Sequence, residues 1–183
     1  MTPFPLYLMR HGEPVVTGRL LGRTDCAVTP AGIAACIAQA QGLRVERIVA
    51  SDLARAHDCA AAIGVTTIDA RWRELDFGAW DGLSPHDIDA DALARFWDDP
   101  DSCPPPDGER WSTLVARVGA AIAGLPPAPT LVVTHGGAMR AALSVSCGFG
   151  MAQTWAVDLP YAAVLALKVW PGSPRTAQIT GLW

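Results

Sequence analysis

Arg10-His11-Gly12 stands directly behind the apolar run Leu6-Tyr7-Leu8-Met9, and His135-Gly136-Gly137 directly behind Leu131-Val132-Val133-Thr134. Two of the four histidines therefore fall where strands should end, and the carboxyl edge of a parallel sheet gathers such residues into one crevice. A neutral imidazole is a competent nucleophile toward phosphorus when fixed cations hold the phosphoryl oxygens. Arg10 adjoins His11 and can supply one such cation. Arg55, one turn into the helix that follows the next strand, can supply a second. His135 is a third donor, and backbone N–H groups around Gly12 and Gly136 can add an anion nest. Because an alkoxide leaves poorly, phosphoester cleavage also calls for a proton donor, commonly a partly buried carboxylic acid. Glu74, in the run Arg73-Glu74-Leu75-Asp76-Phe77-Gly78, is the candidate, with Glu13 and Asp76 as competing carboxylates.

Strand-length apolar runs alternate with stretches of helical period along the chain. That pattern predicts a three-layer αβα sandwich with a mainly parallel central sheet. Thr29-Pro30 reads as a helix start, with Ile33, Cys36, Ile37 and Ala40 on one face and Gly42 as its stop. Ile48-Val49-Ala50 predicts a short strand leading to Ser51-Asp52, either of which can cap the next helix. On that helix Leu53, Ala56, Ala60 and Ile63 form the buried stripe, and Gly64 closes it. Periodicity breaks down over residues 72–110, where aspartates, tryptophans and Pro104-Pro105-Pro106 predict short helices in a lid-like excursion. It returns with Trp111, Leu114, Val115, Val118, Ile122 and Leu125, a helix stopped by Gly124 and Pro126-Pro127. A strand at 131–134, a helix from 137 to 147 and two late strands near 155–159 and 163–170 complete the expected order.

The bulk properties narrow the partners. A chain of 183 residues, half of them hydrophobic, suits one domain. A formal charge of −4 argues against a nucleic-acid-binding face. No apolar run reaches the length of roughly 20 residues that a membrane-spanning helix needs, and no export signal is legible at the start, so the expectation is a cytoplasmic protein without membrane contact. The five cysteines form no CxxC pair, which indicates neither a disulfide framework nor a zinc site. Lys168 is the sole lysine among 14 basic residues, and arginine suits planar recognition of phosphate or carboxylate. The expected partner is a small phosphorylated metabolite, and nothing in the sequence speaks for an oligomer. His57 and His86 read as surface or structural residues. The tryptophans at 72, 80, 97 and 111 read mainly as packing, with stacking on a substrate as the alternative.

Four ordered blocks carry a resemblance to a known family: Arg10-His11-Gly12-Glu13, Ser51-Asp52-Leu53-Ala54-Arg55-Ala56, Glu74-Leu75-Asp76-Phe77-Gly78-Ala79-Trp80-Asp81-Gly82, and Val133-Thr134-His135-Gly136-Gly137. In these the chain resembles the histidine phosphatase superfamily, also called phosphoglycerate mutase-like, over nearly its whole length. The resemblance implies a single domain over residues 1–183 and a phosphoric monoester hydrolase working through a phosphohistidine. His11 would be the nucleophile, Glu74 the acid, and Arg10, Arg55 and His135 the phosphoryl clamp, without metal or organic cofactor. Leu21-Gly22-Arg23-Thr24-Asp25, Trp97 and Pro105-Pro106-Asp107-Gly108-Glu109 are similar to the alpha-ribazole phosphatase subgroup. That similarity implies alpha-ribazole 5'-phosphate, a precursor in cobalamin assembly, as favoured substrate. A phosphoglycerate mutase and a broad-specificity sugar-phosphate phosphatase are the alternative enzymes, and a non-catalytic phospho-ligand binding module is the alternative of another class. Arg23, Thr17, Gly136 and Glu109 are the expected substrate contacts. Thr17 stands where many members of the family carry asparagine, and Pro14 replaces a common threonine.

Overall fold

The computed structural model describes residues 2–183. Its framework is one six-stranded sheet. The strands are β1 (Phe4–Arg10), β2 (Arg47–Ala50), β3 (Thr66–Ile68), β4 (Thr130–Thr134), β5 (Val164–Trp170) and β6 (Thr176–Leu182). They lie in the order β3-β2-β4-β1-β5-β6. The first four of these are mutually parallel, β5 runs antiparallel to β1, and the edge strand β6 runs antiparallel to β5.

Alternation along the two central strands splits the core into two faces. Leu6 and Leu8 of β1 and Val132 of β4 belong to one cluster, whereas Met9 of β1 and Leu131 and Val133 of β4 belong to the other. Helices α1 (Pro30–Ala40) and α2 (Ala54–Ile63) cover the second face, supplying Cys36, Ala56 and Ala60. Helices α4 (Trp111–Gly124) and α5 (Gly136–Cys147) cover the first, supplying Leu114, Val118, Met139 and Leu143. Helices on both faces make the three αβα layers expected from the sequence. Because β4 is covered on both sides, all five of its residues are buried, as a doubly covered parallel strand requires.

The stretch between β3 and α4 holds three single 3-10 turns and the short helix α3 (Ala90–Asp98). Trp72, Trp80 and Phe96 of this stretch are buried in the main core. Phe96 meets Phe77 and Trp80 edge-to-face at 6.1 and 5.7 Å. The excursion is thus bolted down by aromatic contacts.

Several local expectations change. In α1, Thr29 caps as expected, accepting from Gly32 N–H at 3.0 Å, but Ile37 is exposed. Helix α2 is capped neither by Ser51 nor by Asp52. Asp25 reaches in from a distant loop to accept from Ala54 N–H at 2.7 Å, and Asp52 is instead paired with Arg73. No strand forms at 155–159, where the short helix α6 (Met151–Thr154) is followed by turns. The last strand is β6, which no apolar run announces.

Candidate active site

Strands β1 and β4 pair in register, Arg10 beside Thr134, so the residues that follow, His11 and His135, emerge side by side. Their rings lie 5.1 Å apart, edge-to-face. Gly12 is required at this exit, since a Cβ there would sit 2.2 Å from the carbonyl oxygen of Gly32 in α1. Its N–H donates to the Cys59 thiol at 3.3 Å, which ties the loop to α2.

His11 is 5% exposed. Its Nδ1 is 2.7 Å from the Gly12 carbonyl oxygen, a contact that only a protonated nitrogen makes favourable, so the lone pair sits on Nε2. Burial lowers its pKa to about 3, helped by the charges of Arg55 and Arg10 and opposed by the bond to Gly12. His11 is therefore neutral at pH 7. His135 is fully buried, and neither ring nitrogen has a protein partner. Burial, reinforced by His11 and the surrounding arginines, also pushes its pKa well down. A buried imidazole with no protein partner calls for a water or a ligand.

Arg10 uses Nη1 on the Leu159 carbonyl at 2.7 Å and leaves Nε without a partner. Tyr161 backs both residues, with its ring 4.2 Å from the Arg10 guanidinium carbon and 5.6 Å from the His11 ring. Arg55 is fully buried, and its Nη groups donate to the carbonyls of Thr24, Leu21 and Gly22 at 2.8, 2.8 and 3.0 Å. Its Nε is left over. The loop that offers these carbonyls is held by Asp81, which accepts from the N–H groups of Gly22, Arg23 and Thr24. Leu21 to Asp25 and Asp81 thus form the scaffold that aims Arg55.

Glu74 is presented by a segment whose main chain is clamped from outside. Arg117 donates to the carbonyls of Arg71, Arg73 and Glu74 at 2.8, 2.7 and 2.8 Å. Thr134 donates to that of Trp72 at 2.6 Å. The Glu74 carboxylate accepts from Leu75 N–H at 2.8 Å and from Gly137 N–H, at the start of α5, at 3.0 Å. Gly137 is held close to the carboxylate: a Cβ there would stand 2.1 Å from Glu74 Oε1.

Arg10, His11, Arg55, Glu74, Tyr161 and Arg19 share one pocket of about 150 Å³. Arg10 and Glu74 also line an adjoining cleft of about 180 Å³, open to solvent, together with Gly136. Three expected substrate contacts fall elsewhere. Thr17 is exposed and lines neither space. Arg23 turns to Asp76 at 3.3 Å. Glu109 is consumed by Arg117 at 2.7 Å, because a buried carboxylate is stable beside a guanidinium. Arg19, Tyr161 and Arg117 went unread in the sequence, where no local pattern marks them. Among the described residues no cluster of histidine, cysteine, aspartate or glutamate is arranged to hold a metal ion, and no helix is long and apolar enough to cross a membrane.

Residues 6–180 match the model of the histidine phosphatase superfamily, branch 1. The chain belongs to that family. This histidine phosphatase is 32% identical to a glucosyl-3-phosphoglycerate phosphatase of Mycobacterium tuberculosis, over 97% of its own length and 86% of the relative's. A solved mycobacterial glucosyl-3-phosphoglycerate phosphatase bound to VO3 superposes with a TM-score of 0.84 at 27% identity, covering 98% of each chain. A candidate alpha-ribazole-5'-P phosphatase of Escherichia coli superposes with a TM-score of 0.81, covering 96% of this chain and 95% of that one. At 22% identity that likeness shows the fold alone. The histidine phosphatase is a phosphoric monoester hydrolase of phosphoglycerate mutase-like architecture.

Proposed function

We propose that His11 is the nucleophile of this phosphatase and that the reaction runs through a phosphohistidine. The observation that carries the reading is the pairing of a tautomer-locked His11 with an unpartnered His135, 5.1 Å away. Nε2 of His11 attacks phosphorus while the unspent N–H groups of Arg10 and Arg55 and one ring N–H of His135 hold the phosphoryl oxygens. The P–O bond to the leaving group breaks, and protonated Glu74 gives its proton to the departing oxygen. Glu74, now ionised, takes a proton from water, whose oxygen attacks the phosphohistidine. The P–N bond breaks, inorganic phosphate leaves, and His11 is neutral again. The main-chain clamp on Glu74 serves both halves, since one carboxylate must reach leaving oxygen and water in turn.

For substrate we infer a small phosphorylated metabolite. Identity of 32% over nearly the whole chain supports one like that of the mycobacterial relative, a phosphorylated glycerate bearing a sugar. Alpha-ribazole 5'-phosphate is the second reading, favoured by the tryptophans of the adjoining cleft, on which a flat base can stack. Residues 72–110 supply Trp97 and Phe77 to that cleft and so contribute to selecting the leaving group.

The test is phosphate release from p-nitrophenyl phosphate and from a panel of metabolite phosphates, together with alkaline-quench trapping of label from a radiolabelled phosphoryl donor. Wild type releases phosphate to water and traps an acid-labile, base-stable label, and His11→Ala does neither. A His11→Ala protein with near-normal turnover would refute histidine attack. Transfer of the label to a second phosphoglycerate in preference to water would mark a mutase.

A further inference from the structure

Beyond Glu74 the larger cleft is walled by Phe77, Trp97, Trp111, Met151 and Trp155, and among these apolar groups stands one more cation, Arg140. Trp97 and Trp155 are 41% and 48% exposed, large apolar surfaces held open to solvent. Their rings meet edge-to-face at 5.2 Å, forming a corner. Arg140 lies on α5 one turn beyond Gly136, about 6 Å along the axis, on the same helix face. Gly136 in turn borders Arg10, whose Nε is 3.7 Å from where a Cβ would be. The phosphoryl end of the site and Arg140 therefore open into one continuous space.

The protein leaves this guanidinium largely unanswered. Among the described residues no carboxylate forms an ion pair with Arg140. Its single hydrogen bond is from Nη2 to the Val157 carbonyl at 3.3 Å, and Nε is buried without a partner. Trp155 covers one face at 4.2 Å. Glu74, which shares the cleft, has both carboxylate oxygens engaged by Leu75 and Gly137. Burial pulls the Arg140 pKa below the ordinary arginine range, the mark of a charge taken out of water without full compensation. Buried charges in folded proteins are paired, and Arg140 lines the same cleft as Glu74.

We infer that Arg140 is a specificity-determining residue that binds a carboxylate on the leaving-group alcohol, while the ring of that alcohol rests in the Trp97 and Trp155 corner. The substrate class is then a phosphomonoester of a ring-bearing hydroxy acid. The planar fork of arginine matches the two oxygens of a carboxylate, and an aromatic corner suits the apolar face of a sugar. The inference rests on the proposed phosphatase reading and separates its two substrates, because alpha-ribazole 5'-phosphate offers a ring but no second anion.

The experiment compares matched pairs of esters on the intact protein: glucosyl-3-phosphoglycerate against glucosylglycerol 3-phosphate, and 3-phosphoglycerate against glycerol 3-phosphate. Glycerol 1,3-bisphosphate, which carries no carboxylate, serves as the arm for phosphate as second anion. Wild type prefers the carboxylate member of each pair by about 10- to 100-fold in kcat/KM, the scale of one charge-assisted contact. Arg140→Met collapses that ratio toward one, mostly through KM, and Arg140→Lys restores part of it. A wild type that treats both members alike overturns the inference, and that comparison needs no variant to fold. A ratio that survives Arg140→Met overturns it too, as does a preference for the bisphosphate over both carboxylates. Turnover of p-nitrophenyl phosphate distinguishes the failures: its absence in wild type sinks the phosphatase chemistry, and its presence without carboxylate discrimination sinks the Arg140 subsite only.

Discussion

Gly137→Ala should disable Glu74, the proposed proton donor, without unfolding the protein. The added Cβ would stand 2.1 Å from Glu74 Oε1 and 3.1 Å from its carboxyl carbon. To reach ordinary van der Waals separation the carboxylate must retreat by more than about 1 Å. What it meets is the far end of a flexible side chain, so the backbone need not move and the stability cost stays within about 1 kcal/mol. The catalytic cost is larger. Retreat breaks the bonds from Leu75 and Gly137 that aim the carboxylate, and a misplacement on the order of 1 Å costs about 100-fold in rate, or roughly 3 kcal/mol of transition-state stabilisation. The loss should fall on kcat for alkyl phosphates, whose leaving oxygen needs a proton. It should be several-fold at most for p-nitrophenyl phosphate, whose leaving group departs unaided. Steady-state kinetics on both ester types, beside a thermal melt, read this out. Full alkyl phosphatase activity in a folded Gly137→Ala protein would show that the placement of Glu74 is irrelevant, and equal losses on both esters would move the damage to phosphoryl binding.

Other expectations concern the groups that hold the site. A histidine titrates near 6.5 when unfolded, whereas burial brings His11 to about 3 and His135 well down. Below pH 6.5 the unfolded chain thus binds more protons than the folded one, and stability falls with acid by about 1.4 kcal/mol per pH unit for each of the two. Denaturant titrations at pH 7.5, 6.5, 5.5 and 4.5 should show a shallower decline for His11→Ala, and parallel profiles would contradict a buried neutral His11. Arg117→Met strands Glu109 and frees the main chain carrying Glu74. It should cost about 3 kcal/mol, as breaking a buried pair does, and lower kcat in whatever fraction folds, measured by denaturant midpoint and alkyl phosphate turnover. Asp25→Ala removes the cap of α2 and should cost about 1 kcal/mol, with KM raised through Arg55. An unchanged midpoint would deny the cap its role.

The shared position of His11 and His135 was legible because each lies at the end of an apolar run, and a parallel sheet turns that local fact into proximity. Thr29-Pro30 and Gly124-Pro126 were legible for the same reason, since caps and stops are written within a few residues. What escaped depends on contacts far along the chain. Asp25 caps a helix that begins 29 residues later. Glu109 looked like a pocket acid until Arg117, two turns into α4, turned out to hold it. Strand β6 lies at the edge with mostly exposed residues, so it lacks the apolar run that identifies a central strand. The reverse error arose at 155–159, where alternating apolar residues follow α6 as turns packed over the α5 face. Arg140 and Trp155 gain meaning only from each other, across a helix and a turn that the sequence does not bring together.

The middle of the sheet also sets when the enzyme comes into being. β1 is among the earliest parts of the chain to be synthesised, yet both its neighbours, β4 and β5, come from the latter part. A nascent polypeptide that has emerged only through α4 carries His11, Arg10 and Arg55 but not β4 and the His135 that follows it. Competence therefore arrives in one late zippering event, and detachment of either neighbouring strand should silence turnover before the helices melt.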